Sequence, residues 1–310
     1  MYIMLSNGWM SAKVGFVLAV LVWSGAAPAQ STPTNTADLS ATELLDKHAS
    51  LASQLKNNAF GRPLYLDSVQ TSSRVTGNAY AVLDGPFALV SSSVKDPKQL
   101  CDLIILHINT KNCRPTLPSS PGVLMVNIGK KTAQTLGDTF ALEFAMSTSA
   151  SSAHFAQVQL NAEKGPLGTR HYRIELAAVP LPDGKTFLHL RYSYDFGLTG
   201  HMAMQAYLAT AGSSKLGFTQ TAQAGGGQKT YVGGMRGAVE RNTMRYYLAI
   251  EAYLLSLGAP PADQQNTRLE KWFDSTEQYP LQLHETDKAS YLTMKKDEIR
   301  RQQSALPGLP

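Results

Sequence analysis

Four tyrosines and two arginines carry most of the binding chemistry this sequence offers. Tyr192 and Tyr194 share one alternation phase of a strand-like run, and Arg170 and Tyr172 share one phase of the run before it. Tyr246 and Arg236 lie on a long helical stretch further on. Phenols set in an apolar lining suit an amphipathic small molecule. The same rings, each hydroxyl bonded to backbone, would instead fill a core. An inward arginine at 170 needs a partner, either an internal carboxylate or an acidic ligand. Arg236 follows Gly233-Gly234-Met235. Glycines opening a helix leave free N–H groups at its positive end, which can hold a carboxylate or phosphate. The alternative for Arg236 is an ion pair with Glu240 one turn on, or with a strand carboxylate.

Other chemistry is not legible. The histidines 48, 107, 154, 171, 189, 201 and 284 are scattered, with no H-x-H or H-E-x-x-H pattern to read as a metal site. No G-x-S-x-G elbow, phosphate loop or close pair of acids stands out, so no catalytic residue, metal or cofactor is assigned. The two cysteines, Cys101 and Cys113, match no zinc spacing. In an oxidising compartment they would close a disulfide worth roughly 3 kcal/mol, and two free buried thiols are the alternative. The net charge of +5 comes without a basic run, which argues against a nucleic-acid partner.

The N-terminus supplies the address. Lys13, the apolar run Val14–Trp23 and the small-x-small Ala27-Pro28-Ala29 read as a signal peptide over residues 1–29, cleaved after Ala29. That apolar run is about half the roughly 20 residues a spanning helix requires. A periplasmic or secreted protein with no transmembrane segment in its mature chain is expected.

The elements that must position these residues follow from hydrophobic periodicity. Leu64–Gln70 and Val75–Leu83 read as strands, Phe87–Val94 and Lys98–Ile104 as short helices. Six strand-like runs come next: Leu106–Lys111, Val123–Ile128, Thr139–Ser147, His154–Glu163, Thr169–Val179 and Thr186–Phe196. Their alternation predicts an antiparallel meander with one face on a core and one toward water. His201–Thr210 reads as a helix, with a hairpin from Lys215–Thr221 and Lys229–Val232. The longest periodic stretch, Gly233–Leu257, has two apolar sides. Val239, Tyr246, Ile250 and Leu254 should face the sheet. Met244, Leu248 and Leu255 should lie under the C-terminal helices Asp263–Gln278 and Asp287–Gln303, with Leu269, Trp272, Phe273, Tyr279 and Leu283 as the cover. Arg241 and Arg245 fall on a flank and are expected to pair with tail acids such as Glu270 or Asp274. The remaining tail charges read as solvated faces.

This order of strand, helix pair, meander and long helix resembles the START-related, Bet v 1-like helix-grip (SRPBCC-type) superfamily over Val75–Leu257. The stretches CDLIILHINTKNC, GPLGTRHYRIEL and RYSYDFG are similar to an uncharacterised exported bacterial family of that type. The resemblance implies an α+β helix-grip domain over residues 63–258, an antiparallel sheet wrapped on a long helix. A disordered leader with a short helix (30–62) precedes it, the helix-hairpin insert His201–Val232 interrupts it, and a helical extension (259–310) follows. It also implies non-catalytic binding or carriage of a hydrophobic or amphipathic, lipid-like molecule. The cavity candidates are Arg170, Tyr172, Tyr192, Tyr194, Arg236 and Tyr246. The alternatives are a cyclase or hydratase on the same fold and an envelope interaction protein with a filled core. Any entrance is expected near Gly85–Pro97, Gly165–Gly168 or the insert.

Overall fold

A computed structural model describes residues 40–116, 122–197, 202, 206, 216–221 and 230–304. The signal peptide and residues 30–39 of the leader lie outside the described residues, as does nearly all of the expected helix His201–Thr210. From residue 38 onward the chain forms a single compact unit, so the C-terminal extension belongs to the same body as the sheet.

The sheet has eight antiparallel strands: β1 (Leu64–Gln70), β2 (Arg74–Leu83), β3 (Thr110–Pro115), β4 (Val123–Ile128), β5 (Phe140–Ser151), β6 (Ala156–Lys164), β7 (Thr169–Pro180) and β8 (Thr186–Phe196). Their spatial order is β1-β2-β8-β7-β6-β5-β4-β3, so the meander β3–β8 closes back on β2. Between β2 and β3 come α3 (Phe87–Lys95) and α4 (Pro97–Ile104), after the leader helices α1 (Ala41–Ser50) and α2 (Ala52–Lys56). Asp96 caps α4 by accepting from the amides of Lys98 and Gln99, with Pro97 in the first turn, where its missing N–H costs nothing. A two-residue-per-strand ribbon, β9 (Gln220–Thr221) with β10 (Thr230–Tyr231), is the described part of the expected hairpin. Then come α5 (Gly234–Ser256), α6 (Gln264–Thr276), α7 (Pro280–Leu283) and α8 (Lys288–Ser304).

The main core lies between one face of the sheet and α3–α5. Ala79, Leu160, Leu176 and Leu190 from the strands meet Val239, Tyr246 and Ile250 from α5 there. Close approach of α5 depends on Gly77 of β2. A Cβ there would collide with the Thr243 side chain, so glycine lets the helix settle on the strand. The other side of α5 is covered as expected: Leu269, Trp272, Phe273, Tyr279 and Leu283 are all buried, and the Trp272 indole N–H donates to the Arg245 carbonyl at 3.1 Å.

Four expectations are corrected. The strand expected at Leu106–Lys111 begins only at Thr110, because residues 105–109 make the tight turn that ends α4. Leu255 is 59% exposed rather than covered by the tail. The charged flank of α5 is inside, with Glu240, Arg241 and Arg245 all buried. The outer face of the sheet is not simply solvated: Leu44, Leu51 and Leu55 of the leader segment pack on Phe155, Ala177, Val179 and Phe187.

Candidate functional site

A cavity of about 150 Å³ opens under the N-terminal half of α5. Tyr172 of β7 and Tyr192 and Tyr194 of β8 form one wall, with Ile128 and Lys131 at the end of β4. His107, Asn109 and Thr110 supply the turn side, and Ala238, Arg241, Asn242, Arg245 and Tyr246 the helix side. Pro166, from the turn Gly165–Gly168, completes the rim. That turn is one of the expected entrances; nothing from Gly85–Pro97 reaches this cavity. The larger hollows, of about 640 and 510 Å³, are lined by none of the candidate residues.

Strand alternation and helix periodicity bring four of the six candidates together. Tyr172 stacks on Tyr194 at 5.2 Å between centroids, and Tyr192 lies 5.6 Å from Tyr246. These spacings are typical of favourable aromatic pairs. Tyr172 fits because Gly165 has no side chain: a Cβ there would run into its ring. Only one of these phenols has a firm partner, Tyr172, whose hydroxyl lies 2.8 Å from Thr169 Oγ1. The Tyr192 hydroxyl has the Asn242 side chain as its polar neighbour, while those of Tyr194 and Tyr246 make no hydrogen bond among the described residues. Burial raises all four, Tyr172 to about 12 and the others further, so each stays a neutral hydroxyl.

Arg170 does not join them. Residues 171 and 172 together oppose only Tyr194 on β8, a bulge with His171 in the left-handed region at φ 49°. The extra residue resets the alternation, so Tyr172 points into the core while Arg170 is exposed. Arg236 is also elsewhere. Its Nε donates to Ser68 Oγ at 3.0 Å, and that hydroxyl donates to Glu240 Oε1 at 2.5 Å. It is therefore linked to Glu240 through Ser68 and lines no part of the cavity. Glu240 also accepts from the amides of Phe218 and Thr219, tying the insert to α5.

The cavity contains cations that sequence reasoning placed on a flank. Arg245 pairs with Glu285 at 2.7 Å rather than with Glu270 or Asp274, and Lys131 reaches the same carboxylate at 2.6 Å. Arg241 donates to the Leu216 carbonyl at 3.2 Å. No aspartate or glutamate lines the cavity. His107 was also missed, since a lone histidine in an apolar run carries no pattern. Its Nδ1 accepts from the Asn109 amide at 3.2 Å, which puts the ring proton on Nε2. Nε2 is buried and has no hydrogen bond of normal geometry. Burial, then the charges of Arg245 and Lys295, hold His107 well below its usual range, against a weaker opposing contact with Asn242. It is a neutral imidazole at pH 7.

The turn that presents His107 is fixed from behind. Lys295 of α8 donates to the carbonyls of His107 (2.8 Å) and Thr110 (2.6 Å) and pairs with Glu298 (2.8 Å). Tyr291 donates to the Leu106 carbonyl at 2.9 Å. A buried disulfide, Cys101–Cys113, closes the chain around the turn and joins α4 to β3. Among the described residues no three metal-ligating side chains cluster, and no helix is long and apolar enough to cross a membrane.

No family model matches the chain, and no curated protein matches its sequence. Among solved structures it is similar to an aromatase/cyclase from a Streptomyces species, at 12% identity over 48% of this chain and 86% of that one, with a TM-score of 0.32. Norcoclaurine synthase from Thalictrum flavum gives 14% identity over 47% and 90%, with a TM-score of 0.32. Human StAR-related lipid transfer protein 5 gives 10% over 51% and 83%, with a TM-score of 0.29. Superpositions this partial carry no functional argument. The strand order, the helix pair between β2 and β3 and the long α5 across the sheet give the chain an α+β helix-grip fold.

Proposed function

We propose that the protein binds a small amphipathic molecule in the tyrosine-lined cavity and performs no covalent chemistry on it. The observation that carries this reading is Nε2 of His107, a buried ring nitrogen with no hydrogen bond, set in a hollow lined by the phenols of Tyr172, Tyr192, Tyr194 and Tyr246. Buried polar groups are normally hydrogen-bonded, so an occupant with polar atoms of its own would complete them. Size limits that occupant. Sites for drug-sized ligands run to roughly 300–1,000 Å³, and this cavity is about 150 Å³. A lipid-like ligand would be held by its head or by one ring, with any chain outside.

One observation favours a second reading, an enzyme of the cyclase or hydratase kind: a neutral imidazole lines the cavity and could exchange a proton with a bound molecule. No carboxylate in the lining orients it, so binding is the better-supported reading. Export to the periplasm or beyond is part of the proposal. The N-terminal pattern supports it, and the disulfide fits an oxidising compartment. A mature protein whose N-terminal sequence starts at Gln30 is expected.

The test of binding is organic extraction of the purified protein followed by mass spectrometry. Wild type should release a compound that is missing from a Tyr194→Trp variant, in which a larger ring occupies the hollow. Identical extracts from the two proteins would rule against the cavity. Unchanged mass after prolonged incubation of that compound with the protein separates binding from catalysis.

A further inference from the structure

We infer that the ligand of this cavity is a compact aromatic anion, a single ring bearing a carboxylate or a comparably acidic group. The inference rests on the small-molecule reading above and names the ligand class.

Three features of the lining converge on it. The first is charge. Lys131, Arg241 and Arg245 all contribute to the lining and no acid does. The nearby carboxylates lie outside it. Glu285 is shared between Lys131 and Arg245, and Glu240 is occupied by Ser68, Phe218 and Thr219. With Glu285 set against two of the three cations the lining still keeps a net positive charge, which disfavours a cationic ligand and draws in an anion.

The second feature is hydrogen-bond polarity. The guanidinium groups, the ammonium and the Nε2–H of His107 can only donate. Of these, Nε2 of His107 is buried without a hydrogen bond; an occupant that completes it must bring an acceptor, and a carboxylate brings two oxygens that each accept more than once. Burial first, and then the charges of Arg245, Lys295 and Lys131, oppose protonation of His107.

The third is shape. An engineered apolar cavity of about 150 Å³ takes up benzene, and this one has a similar volume, walled by Tyr172, Tyr192, Tyr194 and Tyr246. Rings at these positions offer edges and faces to one aromatic guest.

Three planar probes of nearly equal size differ only in charge: benzoate, the neutral benzamide and the cationic benzamidine. Isothermal titration calorimetry of the mature chain, shown by mass spectrometry to carry no ligand, is expected to rank benzoate at least tenfold tighter than benzamide, with benzamidine not binding. Arg241→Gln should weaken benzoate at least tenfold and benzamide less than twofold. Should that variant not fold, Lys131→Gln, at the more open edge, is expected to weaken benzoate three- to tenfold. Benzamide or benzamidine binding as tightly as benzoate overturns the anion inference and leaves the small-molecule reading standing. Benzoate affinity unchanged in the folded variants does the same. If none of the three probes binds, both readings fall.

Discussion

The segment His107–Lys111 separates two buried polar sites built on opposite principles. Behind it, Lys111, Lys295 and Glu298 form a closed network. The three N–H groups of Lys295 meet the carbonyls of His107 and Thr110 and one oxygen of Glu298. Those of Lys111 meet the Ile108 carbonyl, the Met294 sulfur and the other Glu298 oxygen. In front of it, the cavity presents phenols and the imidazole Nε2 of His107, which is buried without a hydrogen bond. A network whose donors are all matched holds backbone in place. One with surplus donors is matched only when something else enters. Both sides carry buried cations, and what tells scaffold from site is whether a buried polar atom such as Nε2 of His107 is left without a hydrogen bond.

The network side should therefore fail catastrophically when a member is removed. Glu298→Gln leaves two fully buried ammonium groups sharing a neutral amide. Breaking a buried ion pair by removing one partner costs about 3–5 kcal/mol, and a loss of that size is expected in urea denaturation. On the cavity side, Asn242→Ala removes a half-buried amide that neighbours Tyr192 and His107 but no buried charge, and should cost less than about 2 kcal/mol. Similar losses for the two variants would abolish the distinction.

How far the sequence revealed this contrast depends on which interactions set each position. The tyrosines were legible because a period of two on β7 and β8 and a helical period on α5 each point a side chain one way, and the three faces converge. The disulfide was legible because there are only two cysteines to pair. Arg170 was misplaced by a single-residue bulge at His171, which no residue type announces. Lys295 and Glu298 sit three apart on a helix and look like an ordinary surface pair. Only the docking of α8 on β3 buries them, and that is a tertiary event. His107 was hidden for a related reason: its turn interrupts an apolar run that reads equally well as a strand.

Titration gives the next contrast. His107 and His189 are both held below their ordinary values, first by burial, His189 to about 3. The unfolded chain takes up these protons near pH 6.5, before the folded protein does, so stability falls as the pH drops below that point. Each imidazole contributes a slope of up to about 1.4 kcal/mol per pH unit. His107→Asn should flatten the acid limb by one imidazole. The alkaline side begins with the same sign. Burial lowers Lys295 to about 8, below the unfolded value of 10.5. The unfolded state then binds the extra proton between these limits, and this group makes stability rise with pH across that window. Above about pH 10 the buried tyrosines reverse the trend, because unfolded phenols ionise while Tyr172 holds its proton to about 12. Urea midpoints from pH 5 to 11 should trace this shape, and an acid limb unaffected by His107→Asn would break it.

The finest test uses one atom on each side. Tyr291 and Tyr246 are both buried phenols packed against aromatic rings, Tyr291 on Trp272 and Tyr246 on Tyr192. The Tyr291 hydroxyl donates to the Leu106 carbonyl at the entry to the turn, whereas that of Tyr246 has no partner among the described residues. Tyr291→Phe strands a buried carbonyl and should cost about 1–2 kcal/mol. Tyr246→Phe removes a polar group that folding already left unmatched, so its effect on stability should lie within about 0.5 kcal/mol and is expected to be a small gain. Binding should show the reverse order. Tyr246→Phe removes a hydroxyl from the lining and should weaken benzoate about three- to tenfold, an ordinary range for one hydrogen bond. Tyr291→Phe leaves the lining intact and should alter benzoate affinity less than twofold in the folded protein. Stability and affinity moving together in both variants would mean that the two sites are not distinct. Opposite orders would show that the atoms folding leaves unmatched are the ones the ligand uses.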